Sequence, residues 1–385
     1  MNYKKVVEKY KTPTYIFDID ELNSRINYLK SKFRSDIDFV YAVKANTFII
    51  KELNNLVEKF EICSIGEFNI CDDLDIDYKK MVISGVNKES NFIDKLILNH
   101  DINRYTIESL EQYKVLYNGA KKYNKRINVL IRITSGNQFG VSEDDFKYII
   151  KNYDEELINI CGIEYFSGTQ KHSVKKYIRE VEYLNDLVSR INDEFNFKIK
   201  EIEYGLGLPV CYYEIDEFDE DSFLDEVSSE LNKLKCDKLS IELGRSIAAS
   251  CGYYLTSVVD MKTNKNGNFV IVDGGINHLV YYGGSLAMKT PYYEVIQDKK
   301  DEIINYNIYG SLCTVNDVLL KSININKLSI GDLFVFKKVG AYSMSEGISL
   351  FLSRDLPSIL IKKGRKISLI RDRIETSKMN FPKYK

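Results

Sequence analysis

A chain of 385 residues is long enough for one large domain and a smaller one. Its content of 44% hydrophobic and 29% charged residues is ordinary for a soluble globular protein. The formal net charge is −2 and both signs are spread along the chain, which excludes an electrostatic case for nucleic acid or an anionic membrane as a partner. No apolar run approaches the roughly 18 residues of a membrane span, and no basic-then-apolar leader opens the chain. We therefore expect a cytoplasmic protein.

The cysteines and histidines give no pattern for a disulfide framework or a metal site. The seven cysteines are scattered, odd in number and without C-x-x-C spacing. The three histidines, His100, His172 and His278, do not cluster. The sequence predicts reduced thiols and no bound metal.

Eight short runs rich in β-branched residues alternate with charged segments of helical periodicity, such as Phe48–Lys59, Ser109–Lys122 and Val174–Asn196. The eight runs are Asp38–Tyr41, Phe60–Ser64, Lys80–Ser84, Arg104–Ile107, Asn128–Ile133, Ile160–Phe166, Ile199–Tyr204 and Leu239–Leu243. This alternation predicts an α/β fold with a (β/α)8 barrel. A doubly wound open sheet is the alternative from the pattern alone.

After Arg245 the pattern changes, because strand-like runs now follow one another with turns between them. Hairpin turns are predicted at Asn264–Gly267 and Lys363–Gly364. The predicted strands are Tyr253–Lys262, Asn268–Asp273, Asn305–Tyr309, Leu333–Val339, Ser358–Lys362 and Lys366–Arg371. This part is expected to be a mostly β C-terminal domain, and the run Thr14–Phe17 is compatible with either domain.

In a barrel, functional side chains collect where the strands end. The first run ends at Tyr41-Ala42-Val43-Lys44-Ala45-Asn46, so one lysine leaves an apolar strand. Glycines and polar side chains also follow the other runs, as an anionic ligand at the barrel mouth would require. The alternative interpretation assigns no function to these residues. The lysine then extends into solvent, and the loops are polar because loops generally are.

Motifs along most of the chain resemble those of the fold type III, alanine-racemase-like pyridoxal-phosphate decarboxylases, the family of diaminopimelate and ornithine decarboxylases. In order they are Thr12–Asp18, Tyr41–Asn46, Ser64–Glu67, Gly162–Gln170, Glu242–Arg245, Val272–Gly275, Gly310–Asp317, Gly340–Tyr342 and Leu369–Arg373. The resemblance implies a barrel domain at 25–250 that binds pyridoxal 5'-phosphate (PLP). It further implies a β-rich, sandwich-like domain at 1–24 and 251–385, and a homodimer with active sites at the subunit interface.

The resemblance also implies roles for individual residues. Lys44 matches the lysine that holds PLP as a Schiff base, and Glu242 matches the acid that pairs with the pyridine nitrogen and favours decarboxylation. Cys313 matches the general-acid cysteine that the partner subunit supplies. Further cofactor contacts are implied for Phe166, Thr169, Gly205, Gly207, Gly244, Arg245 and Tyr342. Substrate contacts are implied for Arg132, Tyr281, Thr314, Asp317 and Phe351.

The departures from the family pattern bear on the substrate. Thr314 follows the cysteine where diaminopimelate and ornithine decarboxylases have an acid for the distal ammonium of the substrate, whereas Asp317 does match. Phe166 replaces the histidine that stacks on the cofactor ring. Glu203 and Tyr204 replace the first two residues of a triple-glycine loop. The family has a substrate-binding arginine soon after the Val272–Gly275 motif. That arginine is absent here, and Asn277–Tyr282 occupies the stretch.

Several of these departures are shared with a branch of the family that serves secondary-metabolite pathways, whose type acts on a glutamyl group attached to an acyl carrier protein. The first interpretation is therefore a homodimeric PLP-dependent decarboxylase of an amino acid, or of an amide- or carrier-linked aminoacyl group, in a biosynthetic pathway. The alternatives are diaminopimelate decarboxylase and a catalytically silent homologue that binds a partner protein. The retention of Lys44, Glu242 and Cys313 together speaks against the silent homologue.

Overall fold

The computed structural model describes residues 1–298 and 302–383. In chain order the strands are β1 (Thr14–Asp18), β2 (Asp38–Ala42), β3 (Lys59–Ile62), β4 (Met81–Ile83), β5 (Arg104–Ile107), β6 (Ile127–Ile133), β7 (Ile158–Phe166), β8 (Glu201–Gly205), β9 (Lys238–Leu243), β10 (Gly252–Asn264), β11 (Gly267–Val272), β12 (Tyr293–Ile296), β13 (Ile303–Tyr309), β14 (Val318–Asn326), β15 (Leu333–Lys337), β16 (Ser358–Lys363) and β17 (Lys366–Arg371). The α-helices are α1 (Tyr3–Tyr10), α2 (Ile19–Lys32), α3 (Ile50–Leu53), α4 (Ile65–Asp73), α5 (Ser90–Asn99), α6 (Leu110–Tyr123), α7 (Glu143–Asn152), α8 (Val174–Phe195), α9 (Glu220–Leu231), α10 (Arg245–Ala248) and α11 (Ser377–Asn380).

Strands β2 to β9 form a closed parallel barrel in chain order. The barrel closes between its first and last strands, where Phe39 of β2 lies opposite Ile241 of β9. All eight predicted runs are barrel strands, so the (β/α)8 prediction is confirmed and the open sheet is excluded.

Alternation along each strand divides its side chains between the inside of the barrel and the surrounding helices. On β8, Glu201 and Glu203 point inward, whereas Ile202 and Tyr204 point outward and are fully buried. Helix α8 provides part of this cover with a buried apolar face. The predicted helices at Ser109–Lys122 and Val174–Asn196 are confirmed as α6 and α8.

The predicted helical segment Phe48–Lys59 is confirmed in its first half and wrong in its second. Only a short 3-10 turn and α3 form there, and Lys59 is already the first residue of β3. Asn54 and Asn55 follow α3, and asparagine is a weak helix former because its side chain competes for backbone hydrogen bonds. The helical turn therefore ends early.

Within the described residues the second sheet has nine strands, with the order β14-β13-β11-β10-β1-β16-β17; β15 pairs with β10 and with β12. Strand β1 runs antiparallel to β10 and parallel to β16, which settles the place of Thr14–Phe17. The predicted mostly β C-terminal part is confirmed. Strands β12 and β14 were not predicted. Strand β12 has four half-buried residues, and β14 contains Ser322 with a positive φ of 51° and an irregular register.

The backbone contacts group into two compact units. The barrel unit comprises Ile26–Pro209 and Asp219–Ser246, and the strand-rich unit comprises Met1–Arg25, Val210–Phe218 and Ile247–Lys385. The segment Val210–Phe218, which lies inside the predicted 25–250 domain, thus groups with the strand-rich unit; the predicted domain boundaries stay a prediction. Within the described residues, every helix is too short or too polar to cross a membrane.

Candidate active site

Lys44 lies in a 3-10 turn directly after β2, at the mouth of the barrel. Its Nζ atom is 2.5 Å from Oε2 of Glu61, 3.5 Å from Oε1 of Glu242 and 3.6 Å from Sγ of Cys63. The lysine side chain is 40% exposed, whereas those of Glu61 and Glu242 are 2% and 10% exposed. The accessible amine of Lys44 is therefore in contact with two buried carboxyl groups.

The pKa values of the neighbouring acids Glu61 and Glu242 are shifted in opposite directions. Burial and the adjacent Glu61 carboxylate raise the pKa of Glu242 well above its ordinary value. Burial alone would also raise the pKa of Glu61, but the Lys44 ammonium lowers it to about 2. Glu61 is thus the charged partner of Lys44, and Glu242 keeps a proton on its carboxyl group.

Phe166 ends β7 and is partly exposed. Its ring packs on Gly205 so closely that a Cβ atom at Gly205 would lie 2.4 Å from the ring. The guanidinium of Arg132 is 6.0 Å from the ring centre of Phe166. Arg132 is itself buried between two acids, 3.2 Å from Glu108 and 3.4 Å from Glu164. Its charge is therefore already compensated inside the barrel.

The loops after β7, β8 and β9 bring together several of the residues for which the resemblance implies cofactor contacts. Nε of Arg245 donates to Oγ1 of Thr169 at 3.4 Å. Gly207 has a positive φ of 58°, and a Cβ atom there would lie 2.0 Å from the carbonyl oxygen of Gly168. Because only glycine allows this approach, the two loops meet backbone to backbone. Gly244 lies between the end of β9 and Arg245.

These side chains suit PLP. The set offers an accessible amine for the aldehyde at Lys44, a protonated carboxyl for the ring nitrogen at Glu242 and an aromatic face at Phe166. For the phosphate it offers a guanidinium, a hydroxyl and glycine-rich backbone. All of these residues belong to the barrel unit.

The remaining predicted residues belong to the strand-rich unit. Cys313 is exposed in the loop between β13 and β14, and Thr314 follows it, half-buried. Asp317 is 1% exposed, and its two carboxylate oxygens accept backbone N–H groups from Ile276 and Leu312, each at 2.8 Å. This geometry favours a role for Asp317 in shaping the Cys313 loop; its predicted contact with substrate stays a prediction.

Three aromatic residues implied by the resemblance also lie in the strand-rich unit. Tyr281 is buried against Tyr212, and its hydroxyl donates to the carbonyl oxygen of Lys337 at 2.8 Å. Tyr342 is half-buried with a positive φ of 63°. Phe351 begins a short 3-10 turn and is 42% exposed. The hydroxyl of Tyr281 is therefore hydrogen-bonded within this unit.

Three acids inside the barrel have no role in the site that the sequence patterns predict. Glu61, Glu164 and Glu203 point inward on β3, β7 and β8 and are 2% exposed or less. Burial raises the pKa of both Glu164 and Glu203 to about 8. A shared pattern could have revealed them, because an acid lies between two apolar residues in Phe60-Glu61-Ile62, Ile163-Glu164-Tyr165, Ile202-Glu203-Tyr204 and Ile241-Glu242-Leu243.

An eight-stranded barrel with a lysine and an acid at its mouth, together with a strand-rich unit that carries a cysteine loop, defines a class of pyridoxal-phosphate enzymes. Residues 14–340 match the family model described as "Pyridoxal-dependent decarboxylase, C-terminal sheet domain". The chain belongs to this family of pyridoxal-dependent decarboxylases, which are carboxy-lyases.

Two curated relatives and one solved structure cover nearly the whole chain. The L-glutamyl-[BtrI acyl-carrier protein] decarboxylase of Niallia circulans is 26% identical over 95% of this chain and 92% of its own. The 2-[(L-alanin-3-ylcarbamoyl)methyl]-2-hydroxybutanedioate decarboxylase of Staphylococcus aureus is 24% identical over 92% and 96%. The structure of Helicobacter pylori diaminopimelate decarboxylase complexed with L-lysine superposes with a TM-score of 0.86, at 26% identity and 98% coverage of both chains.

Proposed function

We propose that this chain binds PLP at Lys44 and decarboxylates an aminoacyl substrate whose distal end carries no free ammonium group. The observation that carries the proposal is the accessible Lys44 amine, whose Nζ lies 2.5 Å from Oε2 of Glu61 and 3.5 Å from Oε1 of Glu242. Membership of the decarboxylase family supports the reaction, and the residues around Cys313 support the substrate class.

Bound PLP supplies the electron sink that accepts the electron pair left when the substrate loses CO2. Lys44 provides the amine that would carry the cofactor, and the charged Glu61, at 2.5 Å, holds that amine in position. Glu242, whose pKa is raised by burial, would give its proton to the ring nitrogen, and the carboxylate that remains would stabilise the protonated nitrogen. Phe166 presents a ring for stacking at the end of β7.

Arg245, Thr169 and the backbone of Gly205, Gly207 and Gly244 would hold the phosphate, with Tyr342 as a further contact. Cys313 is exposed on its loop, as a proton donor to a substrate carbon must be. We assign it to the active site of a partner subunit, which makes the protein a homodimer. Its cytoplasmic location also stays a prediction.

The substrate class follows from what surrounds Cys313. A substrate ammonium group that leaves water needs a counter-charge, and Thr314 supplies none. Asp317 cannot readily replace it, because both of its oxygens bind backbone N–H groups. The names of two relatives support a distal end that is tethered or amide-linked, namely a glutamyl group on a carrier protein and an alaninyl group joined through a carbamoyl group. A carrier protein is accordingly a proposed partner.

Steady-state CO2 release from a panel of substrates tests the proposal. The panel contains meso-diaminopimelate, lysine and ornithine, their distally acylated forms, and aminoacyl groups loaded on a carrier protein. We expect the acylated and carrier-linked substrates to be preferred. The Thr314→Asp variant is the matched control and should shift the preference towards the free distal amines. Turnover of meso-diaminopimelate by the wild type with kcat/KM of about 10⁴ M⁻¹s⁻¹ or more would refute the substrate class and favour diaminopimelate decarboxylase.

A further inference from the structure

A buried polar cluster lies directly behind the loops implied for the cofactor phosphate. We call it the Lys171 cluster; it consists of Ser167, Lys171, Tyr177, Glu180 and Tyr204. Nζ of Lys171 is 2.8 Å from Oε2 of Glu180, and the Lys171 side chain is fully buried. The hydroxyl groups of Ser167 and Tyr204 both donate to Glu180 as well. One carboxylate on α8 thus binds three donors from the ends of β7 and β8.

The cluster is built on a departure from the family pattern, because Tyr204 stands where the triple-glycine loop would have its second glycine. Tyr204 points out of the barrel towards α8, and Lys171 lies 4.9 Å from the centre of its ring. A glycine at this position would leave Glu180 without one of its donors. Tyr204 therefore adds a hydrogen bond to Glu180 at the residue that precedes Gly205.

Hydrogen bonds connect the Lys171 cluster to the backbone of these loops. The N–H group of Lys171 donates to the carbonyl oxygen of Gly207 at 2.9 Å. The hydroxyl of Tyr177 donates to the carbonyl oxygen of Leu206 at 2.9 Å. The close approach of Gly207 to Gly168 leaves these loops no room to slide past each other. The cluster thus fixes the backbone on both sides of Thr169 and Gly205.

A buried ion pair of this kind is a poor way to gain stability. Burial lowers the pKa of Lys171 to about 8 even though Glu180 opposes the change. Replacement of buried pairs by apolar side chains is often neutral or stabilising, so their best-supported use is to specify one geometry. A second buried pair, Lys59 with Glu201, joins the first residues of β3 and β8 at the opposite end of the barrel. It offers a control for effects on stability alone.

We propose that the Lys171 cluster positions the loops Ser167–Lys171 and Gly205–Gly207 so that they bind the phosphate group of PLP. This inference rests on the proposed PLP binding, and it assigns positioning roles to Lys171, Glu180 and Tyr204. None of the three needs to contact the cofactor. Their effect is predicted to be specific to ligands that carry a phosphate.

The test compares PLP with pyridoxal, which lacks the phosphate, by titration of cofactor-free protein. Tyr204→Phe removes one hydroxyl and keeps the ring, and Glu180→Gln removes the charge that binds all three donors. We expect Tyr204→Phe to weaken PLP binding about tenfold, the scale of a lost hydrogen bond to a charged group, and to leave pyridoxal binding unchanged. The phosphorus NMR signal of bound PLP should shift and broaden in the variant.

Glu201→Gln is the matched control, since it disrupts the Lys59 pair and should lower stability without a change in PLP affinity. If Glu180→Gln does not fold, Tyr204→Phe decides the question by itself. Wild-type PLP affinity in Tyr204→Phe, or equal weakening of PLP and pyridoxal, would overturn the positioning role. Absence of PLP binding by the wild type would be a different failure, because it would refute the proposed function as well.

Discussion

Glu203 offers a sharp test of the electrostatics inside the barrel. Its side chain is fully buried, and neither carboxylate oxygen has a hydrogen-bond partner within the described part of the chain. Burial, opposed by Lys59 and Arg104, raises its pKa from 4.5 to about 8. The folded protein should therefore hold this group as a neutral acid at neutral pH.

The sign of the effect on stability follows from proton binding. Between pH 4.5 and about 8 the unfolded chain has released this proton and the folded chain has not. The free energy of unfolding should therefore fall as the pH rises, by about 1.4 kcal/mol for each pH unit. Across the whole window the loss is on the order of 5 kcal/mol for this one group. Below pH 4.5 both states are protonated and the loss disappears.

The variant Glu203→Gln keeps the shape of the neutral acid and cannot ionise. We expect it to match the wild type near pH 5 and to be more stable near pH 8 by several kcal/mol, roughly 3–4. Glu201→Gln, two residues earlier on the same inward face, should instead lower the free energy of unfolding at neutral pH. The Lys59 and Arg104 charges outweigh burial and lower the pKa of Glu201, so its loss should destabilise the protein at neutral pH.

Urea unfolding at a series of pH values and a fixed PLP concentration measures these differences. The far-UV circular dichroism signal is suitable, because the chain has no tryptophan. If Glu203→Gln and the wild type lose stability in parallel between pH 5 and 8, Glu203 does not stay neutral when buried. The account of the barrel interior would then be wrong.

Three further predictions concern the site. Lys44→Ala and Cys313→Ala proteins, each inactive alone, should regain CO2 release when they are mixed and exchange subunits. About one site in four should then combine an intact Lys44 with an intact Cys313. No recovery between folded variants would refute an active site formed by two subunits. Asp317→Asn should lower the free energy of unfolding by about 2 kcal/mol or more, because two backbone N–H groups lose a charged acceptor; unchanged stability with lost substrate affinity would instead support contact with substrate. Phe166→Leu should weaken PLP binding and leave the stability of the barrel nearly unchanged, since Phe166 is partly exposed; unaltered affinity would exclude stacking.

Much of the fold could be predicted because short runs rich in β-branched residues and helical segments alternate regularly as far as Leu243. Beyond that point local hairpins alternate with pairs of strands distant in sequence, such as β1 with β16 and β10 with β15, and β12 carries no strong pattern of its own. Its formation depends on β15, against which Tyr293 lies opposite Phe336. Contacts of that kind leave little trace in local sequence.

The site was predictable in part for a related reason. Lys44 and Glu242 lie in motifs with a recognisable order, whereas Glu61, Glu164 and Glu203 appear in sequence as isolated acids within apolar strands. Only closure of the barrel turns these acids towards one another and towards Lys44. The cost of burying their charge, and so their protonation, arises from the tertiary structure alone.

The most direct test of the central claim is to identify the lysine that carries PLP. Borohydride reduction of the PLP-loaded protein, followed by peptide mass spectrometry, fixes the cofactor to that side chain. Lys88 and Lys171 are the rival residues, because burial lowers the pKa of each to about 8 and favours a neutral amine. Both are buried, however, whereas Lys44 is accessible. The account predicts label on Lys44 and none on the Lys44→Ala variant; label on Lys88 or Lys171 in the wild type would contradict it.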